Sequence, residues 1–380
     1  MSATTYEQDL ALLNAHTKIV ELTGPGEARI AVAPGYQGRV MTSTLAGGKG
    51  DSFGWLNAKF IASGGEDVKF NNYGGEDRFW LGPEAGQFGL WFKKGDAFTP
   101  DLWKTPAGFN AGRFRVTSQG KKSVAMVAHF EVANFSGTTF SCAVRRVIRT
   151  LSADYVAEGR GAAVPIGVKM VGFESSNTLA NAGKTPWTKE SGLPSIWILG
   201  QFKPLPRGKV IVPFNRGPAS ELGIAATTDY FGPLGDDRAK VTADHLLFTC
   251  DGKHRSKIGI SPARCKSVLG SFDPDANVLT VVQFTLPAGA AKLPYVNSLW
   301  KLQDEPFAGD VVNSYNDGEA APGAGQLGPF YEIETSSPAA ALGPDAGITH
   351  VHRTFHFSGP RAALNDLALC LLGVDLAEIK

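Results

Sequence analysis

From residue 18 to residue 357 the chain runs in short stretches where apolar and polar side chains alternate with a period of two, cut by Gly, Pro, Asn and Asp. That is the pattern of strands joined by tight turns. Residues 18–22, 28–33 and 38–45 read as the first strands, separated by GPGE and PGYQ. Further along, RFRVTSQGKKSVAMVAHFEV predicts a hairpin at Gln119-Gly120, and NFSGTTFSCAVRRVIRTL predicts one at Ser136-Gly137. HLLFTCDGKHRSKIGI predicts a third at Asp251-Gly252, the strongest short-range hairpin signal in the chain. Helical spacing shows only at the ends. Residues 5–15 place Leu10 and Leu13 on one side with Thr4 or Thr5 as a cap, and residues 361–372 carry Leu364, Leu367, Leu371 and Leu372 on a stripe that can cover a sheet edge. With no fixed-period repeat and no linker, the expectation is one all-β domain over residues 1–380, with its helices inside 1–16 and 360–380 and the second packed on the sheet.

Composition sharpens this. The 45 Gly, 23 Pro, 23 Phe and 7 Trp suit many short strands with tight turns. A net charge of +1 speaks against a nucleic-acid partner, and the densest basic cluster, Arg145, Arg146 and Arg149, reads as a solvated strand face. No apolar run approaches the ~18 residues of a membrane span, so no membrane partner is expected. The opening MSATTYEQDLALLNAH is too polar for a signal peptide, which points to the cytoplasm unless a leader has been removed. Cys142, Cys250, Cys265 and Cys370 are widely spaced without a CxxC pair, so reduced and mostly buried thiols are expected.

The candidate chemistry gathers in FYEIETSSPAAALGPDAGITHVHRTFHF, residues 330–357, which holds three of the seven histidines. In its first strand Phe330, Glu332, Glu334 and Ser336 share a face. In its second, His350, His352, Thr354 and His356 share one, with Val351, Arg353, Phe355 and Phe357 opposite. Such faces form either the wall of a polar cleft or an ordinary wet sheet face. NNYGGEDRFWLGPEAGQFGLWFKKGDAFTPDLW, residues 71–103, sets Trp80, Trp91 and Trp103 among Glu76, Asp77, Arg78 and Glu84. Rings beside fixed charges suit a sugar, whose C–H faces pack on aromatics while its hydroxyls need polar partners; an aromatic core under a structured loop is the alternative. Trp300, beside Asp304 and Glu305, and Asp317 form a similar mixture.

These residues resemble a known superfamily. LGPDAGITHVHRTFHF is similar to the closing strand of the galactose mutarotase-like proteins, and YEIETSSP resembles the aldose epimerase strand with its Leu-Glu-x-Gln-like pattern. Glu334 then takes the place of the catalytic glutamate and Ser336 that of the glutamine. VAPGYQGRVMTSTL resembles the opening strands, so the likeness covers essentially the whole chain. It implies a large antiparallel β-supersandwich with a carbohydrate cleft on a concave sheet. The His-Gly-like and Asn-His-x-Tyr-Phe-like motifs are missing: between His16 and His245 only His129 occurs.

The expected function is therefore carbohydrate-directed, with a small-molecule carbohydrate as partner and no cofactor. Glu334 is the expected base, with His350 or His352 as the acid. Arg78, Trp80, Glu76, Asp77, Trp300, Asp317 and Glu332 are the expected substrate contacts. Two alternatives stay open. One is a binding protein without catalysis, and the other is a metal held by His350 and His352, about 6.6 Å apart along a strand, with Glu334 as a third ligand.

Overall fold

The alternating runs pair as antiparallel strands throughout. In the computed structural model, which describes residues 4–320 and 323–379, the largest sheet has ten strands. Their spatial order is β11 (Ala239–Val241), β12 (His245–Thr249), β10 (Lys209–Pro213), β14 (Val268–Asp273), β15 (Val278–Phe284), β18 (Gly347–Ser358), β8 (Lys169–Asn181), β7 (Thr139–Thr150), β6 (Ser123–Ala133) and β5 (Arg115–Gln119). A five-stranded sheet runs β13 (Ser256–Ile260), β16 (Val312–Asn316), β17 (Tyr331–Ser336), β9 (Ser195–Phe202) and β4 (Arg78–Gly82). A third sheet is formed by β1 (Val20–Thr23), β2 (Arg29–Ala33) and β3 (Arg39–Thr44). The architecture is a large antiparallel β-sandwich.

The inner faces of the two larger sheets meet in an apolar layer: Ile258, Val312, Ile333 and Phe202 from the smaller sheet pack with Val210, Leu246, Leu269 and Val282 from the larger. The terminal helices are present. Helix α1 (Tyr6–His16) starts from a capping box in which Thr5 Oγ1 accepts from the Gln8 amide and the Gln8 side chain accepts from the Thr5 amide. Helix α6 (Arg361–Leu372) lays Leu364, Leu367, Leu371 and Leu372 against Ile211, Leu279, Val281 and Phe355. It covers the outer face of the ten-stranded sheet, not an edge. Four further short helices interrupt the strands: α2 (Ala58–Ser63), α3 (Ala107–Asn110), α4 (Ala153–Arg160) and α5 (Ala219–Leu222).

The hairpins at Gln119-Gly120 and Ser136-Gly137 join β5 to β6 and β6 to β7. Asp251-Gly252 does something else. The turn it makes carries the chain from β12, in the ten-stranded sheet, to β13, in the five-stranded one. Gly252 supplies a φ of 67°, while Asp251 accepts from both terminal nitrogens of Arg238, at 2.8 and 3.0 Å. The dipeptide signals a chain reversal, and long-range partners then decide what each strand pairs with. The strands at 331–336 and 347–358 likewise lie in different sheets, facing each other across the sandwich.

Between the facing sheets runs a polar seam. Thr335 Oγ1 is 2.8 Å from His350 Nε2 and 2.9 Å from His352 Nδ1. His356 bridges Thr280 Oγ1 and Glu76 Oε2, each at 2.8 Å. Asp77 accepts from Arg146 and, at 2.6 Å, from Ser175 Oγ. Burial pushes His350 down to about 3 and His352 down to about 4, so both rings are neutral at pH 7. Arg146 is therefore no part of a solvated face: its side chain points inward, fully buried on Asp77. We expect Asp77→Ala to cost about 3–5 kcal/mol, because it strands the buried Arg146 charge. Urea unfolding measures this, and an unchanged midpoint contradicts the assignment.

Candidate functional site

The outer face of the five-stranded sheet is built by the same period of two that buries its inner face. Phe79, Leu81, Ile196, Ile198 and Ile333 point into the core, so Arg78 and Trp80 on β4, Trp197, Leu199 and Gln201 on β9, and Glu332 and Glu334 on β17 point the other way. Antiparallel register then aligns them in rows. Lys257 stands opposite Tyr315, Tyr315 opposite Glu332, and Glu332 opposite Gln201. Asn313, Glu334, Leu199 and Arg78 form the next row, and Trp197 pairs with Trp80 in the one beyond.

Loops raise walls around this floor. The result is a cleft of about 630 Å³ lined by Phe70, Trp80, Trp103, Trp197, Phe231 and Trp300, with Arg78, Glu84, Gln201, Arg255, Lys257, Asp317 and Glu332 among the polar groups. The rings support one another: Trp80 meets Trp197 edge-on with centroids 5.7 Å apart, and Phe70 meets Trp80 and Trp103, each at 5.6 Å.

The charges on the floor form two linked pairs. Arg78 Nη2 donates to Glu332 Oε1 at 3.0 Å, and its guanidinium carbon lies 3.7 Å from the Trp80 ring centroid. Its Nε and Nη1 have no partner among the described residues. Beneath, Glu334 Oε2 accepts from Lys257 Nζ and Trp197 Nε1, both at 3.0 Å, while Oε1 has no partner among the described residues. Burial drives Glu332 up to about 7, with the Arg78 charge opposing and the nearby Glu334 reinforcing. Lys257 loses charge stability to burial, but Glu334 and Glu84 more than offset this and raise its pKa. Burial also raises Glu84, which accepts from Trp103 Nε1 at 2.6 Å. Asp317 is raised by burial too, although it accepts from the Tyr315 hydroxyl and the Gly328 amide, each at 2.8 Å.

Arg78, Trp80, Trp300, Asp317 and Glu332 thus line one cleft, and Glu334 lies directly under its floor, 1 % exposed. The other expected site residues lie elsewhere. Glu76 and Asp77 sit in the inter-sheet seam, bonded to His356 and Arg146. His350 and His352 are in that seam as well, because Thr335, which holds both, alternates with Glu334 on β17 and so faces the opposite way. Neither ring reaches the cleft. Among the described residues no group of three or more His, Cys, Asp or Glu side chains is gathered to hold a metal ion.

Sequence reasoning missed Lys257, Trp197, Gln201 and Tyr315. The signal for Lys257 was there, since SKIGI sets one lysine between inward-facing Ile258 and Ser256. Trp197 gave none, because all of β9 is buried and its alternation is hidden.

Solved structures with this architecture include a candidate aldose 1-epimerase from Escherichia coli K12, with a TM-score of 0.52 at 10% identity over 90% of this chain and 99% of that one. A galactose mutarotase-like protein from Lactobacillus casei ATCC 334 gives 0.52 at 10% identity over 89% and 100%. The Slr1438 protein of Synechocystis sp. PCC 6803 gives 0.52 at 12% identity over 90% and 96%. The fold is thus that of the galactose mutarotase-like proteins. Within it the chain belongs to the family of unknown function DUF6786, whose model matches residues 4–380. No curated protein matches it.

The raised Glu332 yields a stability prediction. An unfolded glutamate releases its proton near pH ~4, whereas folded Glu332 keeps it to about 7. Its contribution is full below the first value and is lost as pH rises through the second. Glu332→Gln lacks this dependence. Relative to the native protein, the variant's stability should rise by about 1.4 kcal/mol per pH unit from about pH 5 to 7 and level off above. A difference independent of pH, measured by urea unfolding, contradicts the shift.

Proposed function

We propose that the cleft binds a small carbohydrate, and that Glu332, backed by Glu334 under the floor, exchanges protons with it in an aldose epimerase-like reaction. The observation that supports this reading best is the meeting of four indoles with a fixed Arg78–Glu332 pair in one cleft. A pyranose ring offers C–H faces for the indoles and hydroxyls for the carboxylates and amides around them.

Epimerisation at an anomeric carbon needs a base for the anomeric hydroxyl and an acid for the ring oxygen, so that the ring C–O bond breaks to an open-chain aldehyde and closes on the other face. A carboxyl with its pKa at about 7 is half protonated at neutral pH and can serve either step. Glu334, held by Lys257 and Trp197, keeps one oxygen free for a proton. Lys257 then replaces the histidines as the protonated neighbour.

A screen of neutral aldoses, aldonates and uronates by calorimetry and by polarimetry tests the proposal. We expect at least one sugar to bind, Trp80→Ala to weaken it at least about tenfold through loss of stacking, and Glu332→Gln to lower turnover more than affinity. Binding that survives Trp80→Ala unchanged places the ligand elsewhere, and turnover that survives Glu332→Gln leaves a binding protein.

A further inference from the structure

The hydrogen-bonding groups of the cleft are unequally occupied. Its carboxylates are engaged: Glu332 by Arg78, Glu84 by Trp103, Asp317 by Tyr315 and the Gly328 amide. Several donors are not. Arg78 Nε and Nη1, Trp80 Nε1 and Gln201 Nε2 are buried with no partner among the described residues, as are the acceptors Asn72 Oδ1 and Gln201 Oε1 of the lining and Glu334 Oε1 under the floor. Buried polar atoms without partners cost free energy until a ligand meets them, so the lining favours a polar ligand, with acceptor oxygens for Arg78 and Trp80.

Arg255 gives that preference a charge. It immediately precedes β13, and since Ser256 pairs with Asn316, Arg255 falls beside Asp317 on the cleft side, one pleat from Lys257. Its guanidinium carbon lies 3.9 Å from the centroid of Phe231, a wall residue left 42% exposed. Among the described residues Arg255 makes no ion pair and no side-chain hydrogen bond; the Asp317 carboxylate acts on it only through its field, and the Arg255 charge in turn opposes the rise of the Asp317 pKa. Lys257 and Arg78, by contrast, are each matched to a glutamate. An arginine held over a ring by its guanidinium carbon keeps its fork of N–H donors free for an oxyanion, which it can take bidentately. The neighbouring Asp317 is held by two donors, and burial raises its pKa, so it opposes an incoming anion less than a free carboxylate would.

We infer that the carbohydrate taken by this cleft carries an anionic oxygen group, a carboxylate or a phosphate ester, and that Arg255 on Phe231 is its seat. This rests on the sugar reading above and deepens it. The test is calorimetry with a neutral aldose, the matching uronate and the matching 6-phosphate, at low salt and in about 0.5 M salt. One anionic form should bind about tenfold or more tightly than the neutral sugar, with the advantage shrinking in salt. Which of the two prevails identifies the anion. In Arg255→Gln the preference should fall below about threefold, and Arg255→Lys, which keeps the charge but loses the planar fork, should retain only part of it. Circular dichroism checks that both variants are folded. Equal binding of neutral and anionic sugars, or a preference that survives Arg255→Gln, overturns the inference while leaving the sugar reading in place. Failure of all three sugars to bind overturns both.

Discussion

Strand β17 is buried on both of its faces, and the rest of the site follows from that. Its odd residues, Tyr331, Ile333 and Thr335, look into the sandwich, and its even residues, Glu332 and Glu334, look toward the cleft. A side-chain period of two admits no other arrangement once one face is packed. The glutamates and histidines that stand so close in sequence are therefore held on opposite sides of one strand, the histidines in the inter-sheet seam and the glutamates on the side of the cleft.

The polar seam under the cleft has a role of its own. The packed apolar layer already favours one alignment of the two sheets, and the seam adds directional contacts to it. Thr335 between His350 and His352, Glu76 against His356, and Asp77 against Arg146 are satisfied only in one alignment. A slip of one residue along β17 would strip both histidines of their partner and turn Glu334 inward. The floor of the cleft is thus positioned by hydrogen bonds made on the reverse face of the strands that carry it.

Much of the fold was legible in the sequence, because hydrophobic alternation and turn chemistry are local. The first three strands, two of the hairpins, the Thr5 cap and the leucine stripe of α6 all follow from neighbours a few residues apart. What was not legible is sheet membership. Asp251-Gly252 marks a reversal, yet β12 and β13 join different sheets, which depends on pairing with β10 and β16 far away in the chain. The same gap explains the misplaced site residues. Alternation correctly grouped His350 with His352 and Glu332 with Glu334, but only the stacking of the sheets shows that the two groups face apart. Glu76 and Asp77 adjoin Arg78 in sequence, and they are drawn into the seam because Ser43, His356 and Arg146 converge there.

On the function proposed above, four indoles from β4, β9 and two loops form a single ligand surface. Indole N–H resonances of the 15N-labelled protein test it most directly, since each of the seven tryptophans reports its own surroundings. Titration with a bound sugar should move the signals of Trp80, Trp103, Trp197 and Trp300, which line the cleft, and leave those of Trp91 and Trp187, which lie in the core, in place. Shifts confined to other tryptophans, or spread equally over all seven, would contradict the account.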